Sequence, residues 1–208
     1  MSGPDPGGIV HAPAGPERAV PEVQRRGGCH RLFFALWPDD AVRAAIAGHA
    51  VALRQRLRPR GRPVSPHRYH LTLQFVGEFE ALPAALAGRA MSAAARVRAP
   101  AFELRLDRTG SFDNRSIPWW LGCGRTPGGL LRLWDDLGQA LGLARVEVRS
   151  ANRLRPHVTI LRDATAALPS GAIDVPVDWH VDAFVLIHSV SGARPEYREL
   201  GRWPLSAA

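Results

Sequence analysis

The chain has 208 residues, of which 46% are apolar and 22% charged, a balance typical of globular proteins and not of wholly disordered or fibrous ones. No run approaches about 18 consecutive apolar residues, which excludes a transmembrane helix and predicts no membrane partner. The net charge is +8 and all 27 basic residues are arginine, so we expect an anionic partner such as nucleic acid or a phosphorylated small molecule. Biased codon usage explains the arginine-only composition equally well.

The cysteines and the first 28 residues predict the compartment and the domain boundaries. Cys29 and Cys123 form neither a disulfide framework nor a metal-ligand spacing, so we expect a cytoplasmic protein. Residues 1–28 contain six glycines and five prolines without apolar periodicity, which predicts a flexible tail that is not a secretory signal. Residues 29–208 are expected to form a single domain.

The hydrophobic pattern predicts strands and helices in alternation along this domain. Apolar or alternating stretches predict strands at 31–36, 70–76, 102–107, 119–121, 156–161 and 197–203, and one long strand that includes 179–187. Helical spacing predicts a helix from Asp39 or Asp40 to just before Pro59, one from Pro83 to about Arg98, and one over 130–141. Because hairpin-like neighbours also occur, the pattern predicts a mixed α+β fold.

A repeated four-residue motif is the strongest functional signal in the chain. His70-Leu-Thr-Leu73 and His157-Val-Thr-Ile160 both consist of His-x-Thr with apolar residues at the other two positions. Eight histidines and five threonines in 208 residues make two such motifs unexpected by chance. Because residues i and i+2 of a strand share a face, each motif presents an imidazole beside a hydroxyl, and the apolar residues point into packing.

Two imidazoles and two hydroxyls that converge on one small volume suit in-line displacement at phosphorus. One histidine can take a proton from the attacking oxygen while the other gives one to the leaving oxygen, and an imidazole pKa of ~6.5 lets both protonation states coexist. Thr72 and Thr159 can donate hydrogen bonds to the non-bridging phosphate oxygens, where negative charge accumulates. A single histidine in a strand is more often structural, and the duplication is what favours catalysis.

The ordered set of motifs resembles the two-histidine (2H) phosphoesterases, in the LigT-like branch of RNA 2′,3′-cyclic phosphodiesterases once called 2′-5′ RNA ligases. The resemblance covers about residues 30–205. It rests on six segments, in chain order Arg31–Leu36, His70–Glu78, Gly110–Phe112, Trp120–Gly122, Arg155–Arg162 and Tyr197–Leu205. His-x-Thr alone is weakly specific, whereas the ordered set is specific. The tail and the absence of lysine depart from the family, so any substrate contact made by lysine elsewhere must be made by arginine here.

The resemblance implies a bilobal fold, with two pseudo-symmetric lobes of antiparallel-rich sheet and outer helices around a central cleft. It also implies metal-independent hydrolysis of an RNA-terminal 2′,3′-cyclic phosphate to a 2′-phosphate, without a cofactor. In that family the first-motif histidine donates a proton and the second accepts one, which makes His70 the donor and His157 the acceptor. The expected partner is an RNA end, such as that of a tRNA fragment, or a cyclic nucleotide, and we expect a monomer.

Two further groups of residues are weighed against this chemistry. The Arg162 guanidinium suits bidentate phosphate binding, but strand parity places it on the face opposite His157 and Thr159. It therefore needs a turn or bulge to reach the cleft, and a surface ion pair is the alternative. His67 and His70 have a spacing that zinc sites use, but the chain offers no apparent third ligand, so we expect no metal site.

Three alternatives to RNA-end hydrolysis stay open. The chain could be a 2H enzyme for a small cyclic nucleotide phosphate, it could join RNA ends through a 2′-5′ bond, or it could be a non-catalytic RNA-binding module. Binding alone needs no acid–base pair, so the intact motifs disfavour the last. Several aromatic residues could stack a terminal base, although aromatic residues in strands more often belong to the core: Phe33 or Phe34, Phe112, Trp119 and Trp120.

Overall fold

The computed structural model describes residues 29–113, 115–149, 153–192 and 196–207, and the predicted tail at 1–28 lies outside the described residues. The elements in chain order are β1 (His30–Leu36), α1 (Asp40–Leu57), β2 (Arg62–Pro63), β3 (Leu71–Phe79), α2 (Ala84–Ala94), β4 (Phe102–Ser111), β5 (Ile117–Gly122), α3 (Gly128–Leu143), β6 (His157–Ala164), β7 (Gly171–Val181), β8 (Ala183–Val190) and β9 (Glu196–Pro204). A 3₁₀ turn at Pro66–Arg68 lies between β2 and β3. The predicted α+β class is confirmed.

The strands form one sheet whose two halves are equivalent. Their order is β7-β4-β5-β6-β3-β1-β8-β9, with β2 paired beside β6, and each of these pairs is antiparallel. The segment β5-α3-β6 in one half repeats the connectivity of β1-α1-β3 in the other. These halves are the two lobes of the expected bilobal fold, and they meet where Leu71 of β3 pairs with Val158 of β6.

The main core lies between the sheet and the helices. It combines fully buried strand residues such as Phe34 and Leu121 with helix residues such as Ile46 and Leu133. Each such side chain contributes roughly 1.5–3 kcal/mol through burial of apolar surface. The opposite face of the sheet carries only a small apolar cluster among the described residues, formed by Phe33, Ala35, Val185 and Ile187. That thinly covered face is available for a ligand.

Helix α1 begins as its sequence predicts. The Asp39 carboxylate accepts a hydrogen bond from the Val42 backbone N–H at 2.8 Å, which satisfies one of the unpaired donors of the first turn. The helix ends at Arg58, which adopts the left-handed conformation and donates its N–H to the Arg54 carbonyl.

The prediction of one long strand that includes 179–187 is wrong. The strand is interrupted at Asp182, and two separate strands, β7 and β8, form on either side of this residue. Strand β7 pairs with β4, whereas β8 pairs with β1 and β9, so the two strands belong to different lobes. Trp179 packs in the main core, while Val185 and Ile187 lie in the cluster on the other face. The Asp182 carbonyl accepts the N–H of Leu205 at 2.6 Å in place of a strand partner.

Two predicted boundaries also shift. Strand β3 does not end at Gly77 but continues to Phe79, because Gly77 pairs with Leu32 of β1. A Cβ at Gly77 would lie 2.8 Å from the Phe79 ring, so this position needs a glycine for close packing and not for a turn. Helix α2 ends at Ala94 instead of near Arg98, and the Arg98 side chain donates to the Ala95 carbonyl just beyond that end.

None of the helices in the described part of the chain combines the length and the apolar character that crossing a bilayer requires.

Candidate active site

The two His-x-Thr motifs lie side by side at the junction of the lobes. Because Leu71 pairs with Val158 in antiparallel register, His70 lies opposite Thr159 and Thr72 lies opposite His157. All four of these side chains are half-buried, and the apolar residues between them are buried in the main core. The expected convergence of two imidazoles and two hydroxyls is therefore present on one face of the sheet.

Both imidazoles are oriented by the same local hydrogen bond. Nδ1 of His70 lies 2.7 Å from the carbonyl oxygen of Arg68, and Nδ1 of His157 lies 2.6 Å from that of Arg155. A carbonyl oxygen can only accept, so Nδ1 carries the proton in each ring. Nε2 of each ring is therefore the nitrogen that can exchange a proton with a bound ligand.

Aromatic rings surround the two histidines unequally. His70 contacts three of them, with ring centroids 5.0 Å from Phe33, 5.8 Å from Trp37 and 5.8 Å from Tyr197. The edge-on contact of His157 with Phe112 has a centroid distance of 4.8 Å. His70 consequently lies in the more apolar surroundings of the two.

Two residues before each histidine lies an arginine whose guanidinium stacks on an aromatic ring. The Arg68 guanidinium lies 4.4 Å from the ring centroid of Tyr197, and that of Arg155 lies 5.9 Å from the centroid of Phe112. Each arginine thus binds its histidine through the backbone carbonyl and stacks on an aromatic ring that the same histidine contacts. The motif is better described as Arg-x-His-x-Thr.

The surroundings make both imidazoles hard to protonate in the free protein. Burial lowers the pKa of His70 from 6.5 to about 4, the bond to the Arg68 carbonyl opposes this, and the charges of Arg162, His157 and Arg68 lower it further. Burial also lowers the pKa of His157, with an opposing contribution from the Arg155 carbonyl and a further lowering by Arg162. The site therefore favours neutral histidines until a negative charge enters it.

Arg162 reaches the cleft face because β6 contains a bulge. Thr159 pairs with Trp120 of β5 and Leu161 pairs with Trp119, so Ile160 is an extra residue in β6. Ile160 and Leu161 are consequently both buried in the main core, and Arg162 returns to the face of Thr159. Simple strand parity therefore does not hold at Arg162, and the bulge that Arg162 was expected to need in order to reach the cleft is present.

Strand β3 contains a corresponding bulge, but a different type of residue follows it on the cleft face. Thr72 pairs with Ala35 and Gln74 with Phe34, which leaves Leu73 as the extra residue. Five residues after its histidine, the first motif therefore presents Phe75 where the second presents Arg162. The two lobes are symmetric in backbone and different in chemistry.

Cavities lie on both sides of the histidine pair. The aromatic cavity, of about 520 Å³, lies on the His157 side and is lined by Thr72, Phe75, Phe112, Trp134, Arg149, Arg155 and His157, among others. The arginine cavity, of about 470 Å³, lies on the His70 side and is lined by Arg31, Arg62, Ser65, Arg68, Arg162, Asp163 and Tyr197, among others. Across the described ranges no group of three His, Cys, Asp or Glu side chains is placed to hold a metal ion.

Known proteins are similar in sequence to this chain over most of its length. The family model described as LigT like Phosphoesterase matches residues 38–120. A protein of Thermus thermophilus named RNA 2′,3′-cyclic phosphodiesterase is 34% identical over 186 residues, which cover 84% of this chain and 90% of that protein. An Escherichia coli protein of the same name is 35% identical over 180 residues, covering 85% and 97%. The chain belongs to the LigT-like phosphoesterase family.

A solved structure extends this likeness to the fold. E. coli LigT complexed with 3′-AMP has a TM-score of 0.70 and 35% identity to this chain, covering 85% of this chain and 98% of the other. The bilobal LigT-like architecture expected from the motifs is thereby confirmed.

The aromatic residues of this LigT-like chain divide between core and cleft. Phe34 and Trp119 are buried in the core, whereas Phe33 contacts His70 and Phe112 contacts His157. Trp120 lies behind Phe112 with centroids 5.5 Å apart. The fold also brings to the site several residues that were not predicted from the sequence: Trp37, Arg62, Arg68 and Tyr197. A signal existed only for Arg68, since an arginine precedes each histidine by two positions.

Proposed function

We propose that this protein hydrolyses the 2′,3′-cyclic phosphate at an RNA end to a 2′-phosphate, with His70 and His157 as its acid–base pair. The proposal is supported by the name shared by the two relatives and by their coverage of most of the chain. Its chemical support is the pairing of Leu71 with Val158, which sets two equivalently oriented imidazoles beside two hydroxyls.

The reaction needs one bond to form and one to break at phosphorus. Nε2 of His157 takes a proton from water as the water oxygen bonds to phosphorus. The bond from phosphorus to the 3′ oxygen breaks, and protonated His70 gives that oxygen its proton. The products are a 2′-phosphate and a 3′-hydroxyl, one water is consumed, and proton exchange with solvent resets the two histidines.

The other three predicted site residues, Thr72, Thr159 and Arg162, would bind the phosphate. Thr72 and Thr159, each beside a histidine, can donate to the non-bridging oxygens, whose charge grows in the transition state. The charge of Arg162 lowers the pKa of both histidines, which supports a position beside the same small volume. A bidentate guanidinium at this position would hold the phosphate in line.

The low histidine pKa values fit this role once the substrate is present. A phosphodiester anion between the rings favours the protonated imidazole and so raises the pKa of each histidine in the complex. Protonated His70 would thus form with bound substrate, where the proton is needed. The two histidines are held alike by their backbone carbonyls, so the division of roles rests on the family resemblance.

Product analysis tests the activity. An RNA oligonucleotide ending in a 2′,3′-cyclic phosphate is incubated with the protein in excess chelator, and the products are separated by chromatography. We expect the 2′-phosphate to accumulate at an undiminished rate. Abolition by the chelator, with recovery on addition of zinc or manganese, would contradict catalysis by two histidines. A 3′-phosphate product would contradict the proposed bond cleavage.

A sulfur substitution tests which histidine is the donor. In a substrate whose bridging 3′ oxygen is replaced by sulfur, the leaving thiolate needs little protonation. We expect the His70→Ala variant to recover most of its lost rate with this substrate and the His157→Ala variant to recover none. The opposite pattern would reverse the roles.

A further inference from the structure

The arginine cavity holds more positive charge than the reacting phosphate uses. Its lining includes four arginines, Arg31, Arg62, Arg68 and Arg162, and one carboxylate, that of Asp163. Arg31 pairs with Glu78 at 2.6 Å, and Arg62 pairs with Asp163 at 2.5 Å. Four arginines against these two carboxylates leave a local charge of +2. Across the described residues neither Arg68 nor Arg162 forms an ion pair.

The backbone brings two of these arginines together at an energetic cost. Arg62 of β2 lies directly opposite Arg162 of β6, and like charges in that position repel. The close pairing requires Gly61, which has a φ of 145° and where a Cβ would lie 2.8 Å from the Arg162 carbonyl oxygen. Asp163, beside them, adopts a left-handed φ of 54° while it binds Arg62 and Ser116. Such an arrangement is stabilised when an anion lies between the guanidiniums.

The position of the cavity relative to His70 indicates which anion it takes. Both Arg68 and Tyr197 line the cavity and touch His70, the first through its carbonyl and the second through its ring. In the proposed reaction His70 protonates the leaving 3′ oxygen, so the ribose lies on this side of the phosphorus. The RNA strand that continues from the ribose 5′ carbon then leads toward the arginines of the cavity.

We propose that the arginine cavity is a second anion subsite, which binds the phosphate on the 5′ side of the terminal nucleotide. This inference rests on the proposed function. A charge of +2 matches two monoanions, the cyclic phosphate and the internucleotide phosphodiester. Arg162 lies at the boundary between the two, and Arg62 belongs to the second subsite. The protein therefore selects nucleotide ends that carry a 5′ phosphate group over bare mononucleoside cyclic phosphates.

Binding of two small ligands tests this subsite without any turnover. Adenosine 2′-monophosphate resembles the product, and adenosine 2′,5′-bisphosphate adds only the 5′ phosphate. Isothermal titration gives the ratio of their dissociation constants for the wild-type protein. We expect the bisphosphate to bind at least about tenfold more tightly, as for a charge-assisted contact.

Three variants test whether the arginine cavity is the cause of this ratio of dissociation constants. Arg62→Gln should bring the ratio close to one, and Arg62→Lys should keep part of it because the charge remains without the guanidinium fork. Arg89→Gln is the matched control, since Arg89 is exposed on α2 and its substitution changes the net charge equally. A wild-type ratio below about twofold, or an equal loss in Arg62→Gln and Arg89→Gln, overturns the subsite. If the monophosphate does not bind at all, the proposed function fails with it.

Discussion

Acidification should unfold this protein partly through His70. The pKa of His70 is about 4 in the folded protein and near its ordinary value of 6.5 in the unfolded chain. Below pH 6.5 the unfolded chain therefore binds a proton that the folded site resists, and stability falls as the pH falls. At pH 5 this one residue costs about 2 kcal/mol of unfolding free energy, and below pH 4 the cost levels off at about 3 kcal/mol.

The assay compares urea unfolding at pH 8 and pH 5 for the wild-type protein and for His70→Asn. Asparagine keeps a donor near the position of Nδ1 for the Arg68 carbonyl and does not titrate. We expect the wild-type protein to lose about 2 kcal/mol more than the variant between these pH values. Other acid-sensitive groups contribute to both proteins and cancel in the difference.

The same substitution at exposed His67 serves as the control for the loss of a histidine outside the site. Equal losses for His70→Asn and the wild-type protein would refute the inference that the folded site disfavours protonated His70. A larger loss in the variant would mean that the site stabilises the protonated ring before any substrate is bound.

Four further changes test the surroundings of the histidine pair and the domain boundary. Gly110→Ala would place a Cβ 2.5 Å from the Trp120 ring, which packs on Phe112. We therefore expect the variant to lose about 1–3 kcal/mol of stability in urea unfolding and to have a lower kcat. An unchanged stability and kcat would contradict the tight packing. Thr72→Val and Thr159→Val should each lower kcat/KM about 10²-fold at every pH without moving the limbs of the profile, and a shifted limb would argue against phosphate binding. Deletion of residues 1–28 should leave the melting temperature and turnover intact, and loss of either would place the domain boundary elsewhere.

The two His-x-Thr motifs can be recognised in the sequence because their geometry is local. Residues two apart share a strand face in any fold, so His-x-Thr presents both groups whatever the strand pairs with. The same holds for the start of α1, where Asp39 caps a turn only three residues long. These features depend on nearest neighbours along the chain and could be predicted without the tertiary structure.

Features that depend on pairing between distant strands could not be predicted in this way. The bulge at Ile160 exists because β5 and β6 pair with unequal numbers of residues, and it alone returns Arg162 to the cleft. Two adjacent apolar residues, Ile160 and Leu161, are its one local sign. The break at Asp182 is likewise invisible in the apolar alternation, because it results from the pairing of β7 and β8 with strands of different lobes.

The surroundings of His70 are equally non-local. Phe33 comes from β1 and Tyr197 from β9, on either side of it in sequence and far apart along the chain. Their apolar rings lower the pKa of His70, which composition and spacing do not indicate. The sequence thus predicts which groups react, and the fold determines how strongly each holds its proton.

The dependence of kcat/KM on pH tests the acid–base pair most directly. With an RNA end carrying a 2′,3′-cyclic phosphate, the wild-type profile should be a bell whose maximum lies below pH 6.5, because both histidine pKa values are lowered in the free protein. The kcat profile should lie at higher pH, since the bound anion raises both values. His70→Ala and His157→Ala should each lose about 10²–10⁴-fold in rate and one limb of the bell. A variant that keeps near-normal turnover with an unchanged bell would show that its histidine transfers no proton.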